Sequence, residues 1–211
     1  MAAQTPVPMT VEQQAAQAKL VLAARVRNGV NWFYWIAGLS IINTIIYTFG
    51  GTIAFIIGLG ATQFVDGITT GLINELGASV STILRLAGFG VNIGIAGIFI
   101  VAGLLGRKLY RWALIIGMVL YVFDALIFAW FGDWLSLAFH ALALWGLWGG
   151  LKAMNGLRKL ASAQPAAVPF TPVTQELTWY RSDIVRILGG SCGVYVGILV
   201  VLAIVGFILT R

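Results

Sequence analysis

Charge is scarce in this chain: only 9% of its 211 residues are Asp, Glu, Lys or Arg, against roughly 25% in an ordinary soluble domain. Sixty per cent are apolar. A water-soluble fold of this size cannot hide that much apolar surface, so the expected solvent is largely lipid. Cysteine is nearly absent. Cys192 stands alone, which rules out an internal disulfide or a CxxC metal site, and inside its apolar run it reads as a small packing residue. Catalytic templates are missing too: the chain has no GxSxG elbow, no HExxH and no Walker loop. It has no CxxCH motif, and its one histidine cannot hold a bis-His haem. No metal or cofactor is expected, and no nucleic acid. The net charge of +6 comes from short basic clusters beside apolar runs, which suits topology signals and anionic headgroups.

What is present predicts an all-α, polytopic membrane protein. Five spans are expected, with an amphipathic surface helix before them and a re-entrant or interfacial segment at about residues 52–77. Residues 1–30 form a tail and a helix opened by a capping box at Thr10 and Gln13. That helix carries Val11, Ala15, Ala18, Leu22 and Val26 beside Lys19, Arg25 and Arg27, and runs to about Asn28. Residues 31–160 form a four-span bundle. Its first span starts in the aromatic cluster Trp32 to Trp35 and ends at Gly50 and Gly51. The second covers about Leu86 to Gly106, the third Trp112 to Phe131 and the fourth Trp134 to Leu151. Residues 161–181 are a linker with Pro165, Pro169 and Pro172. Residues 182–211 hold the fifth span, about Ile187 to Leu209. The run from Thr52 to Val65 is short for a span and broken by glycine, and the helix after it carries Phe64, Ile68, Leu72 and Leu76.

Charge sets the expected orientation. With the amino terminus inside, eleven of the thirteen basic residues face the cytoplasm, leaving only Arg85 and Arg211 outside. A sixth span at residues 52–66 would put every later cluster outside. The expected home is a bacterial cytoplasmic (inner) membrane.

Two constellations stand out. Asp124 and His140 flank the Gly132–Asp133 turn, Asp124 seven residues before Phe131 and His140 six after Trp134. At 1.5 Å per residue both lie roughly 10 Å below the outer surface, where an antiparallel pair could bring them together. Ionisable groups at such depth are paired or functional. A carboxylate holding an imidazole suits a proton relay or a clamp that locks the hairpin. Asn43, Asn92 and Tyr121 share this outer half and could complete a polar layer, and Arg85 could neutralise Asp124 or Glu75. The second constellation is a stripe of small residues: Gly189, Gly193 and Gly197 on span five, and Gly90 and Gly94 on span two. Such spacing lets helix backbones approach closely, within the chain or against a partner subunit.

The leading expectation is a non-enzymatic accessory or scaffold protein that works through helix packing, with the bilayer, a membrane-protein partner or a second copy as its contacts. The alternative is a small-solute or proton-coupled transporter using the Asp124/His140 pair.

Overall fold

A computed structural model of the chain describes residues 10–49, 51 and 58–163. Among the described residues the fold is all-helical. Its elements are α1 (Val11–Thr48), α2 (Gly60–Leu76), a 3-10 turn (Ala78–Val80), α3 (Ser81–Arg107), α4 (Arg111–Phe131) and α5 (Trp134–Ala163). α1, the 3-10 turn with α3, α4 and α5 give four helical stretches long and apolar enough to cross a membrane. The expected fifth span, most of the linker, and Gly189, Gly193 and Gly197 lie outside the described residues.

α1 opens as its sequence predicts. Thr10 Oγ1 accepts from the Gln13 N–H at 3.3 Å, and Gln13 Oε1 accepts from the Thr10 N–H at 2.9 Å. The separate surface helix ending near Asn28 is corrected: α1 continues for 38 residues without a break. Gly29 is the reason. It looks like a stop but is a packing residue, since a Cβ there would lie 2.5 Å from the Gly150 Cα. Val26, Gly29 and Val30 are all buried, so α1 and α5 cross backbone to backbone. α5 likewise outruns its expected end at Leu151 and reaches Ala163, because no proline interrupts it before Pro165.

α1 packs chiefly on α3 and α5, α4 on α5 and α3, and α2 on α3, α1 and α4. The core between them holds Phe33 and Ile36 of α1, Phe99 of α3, Leu120 and Tyr121 of α4 and Leu147 of α5. Successive long helices run antiparallel. Arg107 at the end of α3 donates to Asn31 of α1, and Arg85 near the start of α3 donates to the Tyr47 carbonyl. Between α4 and α5, Gly132 takes the left-handed conformation (φ 71°) that closes a helix. Asp133 then accepts from the Ser136 N–H at 3.1 Å and the Ser136 hydroxyl at 2.6 Å, capping the start of α5.

α2 positions the site. Its first residues are buried and its last, Leu76, is 59% exposed. The buried end lies level with Ser40, eight residues before the end of α1, and with Asp124, seven before the end of α4, roughly 10–12 Å in from those helix ends.

Candidate functional site

A helix that begins inside a bundle exposes N–H groups that have no partner in their own helix. Leu59, before α2, caps it with no side chain of its own. Three neighbouring donors are met from other helices. Ser40 Oγ of α1 accepts from the Leu59 N–H at 2.8 Å while donating to the Ile36 carbonyl at 2.7 Å. Asp124 of α4 spreads its carboxylate over the next two, Oδ2 accepting from Gly60 at 2.8 Å and Oδ1 from Ala61 at 2.9 Å. Gly60 allows the approach: a Cβ there would lie 2.8 Å from the Phe128 ring and 3.3 Å from the Asp124 carbonyl. The amino-terminal dipole of α2 favours the negative charge placed on it.

His140 of α5 completes the arrangement. Its Nε2 lies 3.0 Å from Asp124 Oδ2 and its Nδ1 lies 2.8 Å from the Ser136 carbonyl. That carbonyl can only accept, so Nδ1 carries a proton. Nε2 faces the carboxylate across one further proton. The ring stacks on Tyr121 at 4.3 Å and 16°, and Phe128 tilts against it at 4.9 Å. Asp124 is 0% exposed and His140 1%. Among the described residues, no group of three or more His, Cys, Asp or Glu is placed to hold a metal.

The expected polar layer divides in two. Asp124, His140 and Tyr121 come together. Asn92 turns instead to Asp66 of α2, donating from Nδ2 to Oδ1 at 2.7 Å. Tyr47 donates its hydroxyl to the Asp66 carbonyl at 2.5 Å and meets the Thr70 hydroxyl. The expectation that Arg85 neutralises Asp124 or Glu75 is corrected: it reaches the Tyr47 carbonyl at 3.4 Å, with its guanidinium 5.9 Å from the Tyr47 ring centre. Asn43 is buried on α1 between Ser40 and Tyr47. Gly90 and Gly94 present open backbone, with no atom within 4 Å of a Cβ built on either.

Ser40, Asp66 and Tyr47 are parts of the site that no sequence motif marks. Gly60 is one of the glycines that break the run from Thr52 to Val65, and its N–H binds a carboxylate. An acidic residue within one apolar run and a glycine-led helix start within another were the two halves of one signal. No protein-family model, curated protein or solved structure matches this chain, so the residues alone carry the functional reading.

Proposed function

We propose that the protein is a membrane-resident, non-enzymatic accessory or scaffold protein. Asp124 and His140 serve it as a clamp, fixing α2 as a re-entrant half-helix against the α4–α5 hairpin. The observation that carries this reading is the carboxylate of Asp124, which holds two backbone N–H groups of α2 and the imidazole of α5 at once while wholly buried. Non-helical backbone at membrane depth is tolerated where protein buries it and supplies its partners. The rigid core so formed leaves outer helix faces, such as the open glycines of α3, for contact with a partner or a second copy.

Asp124→Asn tests the clamp. Asparagine keeps the shape but loses the charge and one acceptor oxygen, so stability in mild detergent should fall by about 3 kcal/mol. A cysteine placed at Gly58 in a Cys192→Ala background should become open to thiol reagents in the same variant. Unchanged stability and labelling would remove the clamp. Proton-coupled transport is the second reading, favoured by Asp66 of the same half-helix, a second buried carboxylate whose partner Asn92 has a buried Oδ1 without a partner among the described residues. It predicts that Asp124→Asn in proteoliposomes abolishes pH-driven flux while the fold keeps its stability.

A further inference from the structure

On the outer face of α1 a groove of about 400 Å³ runs from Asn31 and Tyr34 past Trp35 and Gly38 to Ile42, with Arg107 at its mouth. We propose that it binds one anionic phospholipid, with the phosphate at Arg107 and an acyl chain along Gly38 and Ile42. The proposal does not rest on the Asp124 clamp.

Arg107 carries the headgroup end. It closes α3 and is followed by Lys108 and Arg111, so it stands where the apolar helix meets a basic turn. Its guanidinium lies 4.6 Å from the Tyr34 ring centre and donates from Nη2 to Asn31 Oδ1 at 2.8 Å. Those contacts orient the plane and use one of its five N–H donors. The donors left over match the paired oxygens of a phosphate. Beside them, the Tyr34 hydroxyl is buried without a partner among the described residues.

The rest of the groove is apolar and points along the helix. Asn31 to Ile42 is eleven steps along α1, roughly 16 Å of axis, which takes the groove from headgroup level into the hydrocarbon layer. Trp35, 65% exposed, flanks it. A Cβ built on Gly38 would meet nothing within 4 Å, so the glycine leaves the channel open where a larger side chain would fill it. The volume lies within the range of small-ligand sites. One positive end and one apolar length match an anionic lipid. A free phosphate would leave the apolar length unused.

Native mass spectrometry of the full chain in mild detergent, supplied with phosphatidylglycerol or phosphatidylcholine, tests this. The chain should retain the anionic lipid in preference to the zwitterionic one. Arg107→Gln should lower that retention roughly tenfold, and Gly38→Leu should lower it while thermal stability holds, because the added side chain enters open space. Equal retention of both lipids, or retention unchanged in both variants, overturns the proposal. Displacement of the lipid by inorganic phosphate, with Gly38→Leu silent, would make it a plain anion site and overturn it as well. Gly38→Cys supplies the last check, since the chain then has only that thiol and Cys192. A short cross-link between them would give the groove to the chain's own last apolar run and also overturn the proposal.

Discussion

Asp124 takes its donors from main chain as well as from a side chain, so its substitution and that of its neighbours should have unequal effects. Tyr121 stacks on His140, but its hydroxyl is buried without a partner among the described residues. Removing that hydroxyl deletes a desolvated polar group and keeps the ring. Tyr121→Phe should therefore leave stability unchanged or raise it by about 1 kcal/mol, read as the thermal midpoint in detergent. A loss of more than that would show the hydroxyl to be bonded. Gly60→Ala should act in the opposite direction. Its new Cβ meets the Phe128 ring and the Asp124 carbonyl, and overpacking of this kind costs about 1–3 kcal/mol. Combining it with Phe128→Leu should recover part of the loss, because the nearest obstacle is the ring.

Among the elements, the hairpin turn gives a test with a pH sign. The Ser136 hydroxyl, and then its N–H, hold the Asp133 carboxyl below its ordinary value. A carboxyl depressed in the folded state contributes stability above its unfolded pKa of about 4, and the contribution fades as pH falls through the lower folded value. The thermal midpoint of Asp133→Asn should therefore lie below that of the parent at neutral pH and converge on it in strong acid. A gap that stays constant with pH would detach the effect from this carboxyl. The elements were also the most legible part of the sequence. Long apolar runs, bounded by basic clusters and by the Gly132–Asp133 turn, marked α3, α4 and α5, and Thr10 with Gln13 marked the start of α1. Boundaries failed where a residue had two uses. Gly29 is a stop signal in isolation and a close-packing residue once Gly150 lies against it, which only the tertiary fold reveals. The hairpin spacing of Asp124 and His140 placed them at one depth, and they lie 3.0 Å apart. The role of α2 was not legible, because residues 60, 61 and 124 are joined by main-chain donors that carry no side-chain signature.

For the whole molecule, the antiparallel order gathers charge at one end. Arg107 meets Asn31, and Gly156 lies against Leu22. The amino-terminal part of α1, the α3–α4 turn and the far end of α5 thus share a side. Nine of the ten basic residues among those described belong to it, and Arg85 alone lies towards the other. In a membrane the side rich in Lys and Arg is retained in the cytoplasm, so this end should be cytoplasmic and the Gly132–Asp133 turn external. If residues 52–76 re-enter from the outer side, as proposed, the count is undisturbed and the later clusters keep their place. Were residues 52–76 a full span instead, the α3–α4 turn would lie opposite the amino terminus, and Arg107 could not reach Asn31. Cysteines at Ser162 and at Asp133, each in a Cys192→Ala background, test this in intact cells with a membrane-impermeant thiol reagent. Position 133 should react from outside and position 162 only after the membrane is opened. External labelling at 162 would invert the orientation, whereas labelling of both from outside would break the antiparallel order itself.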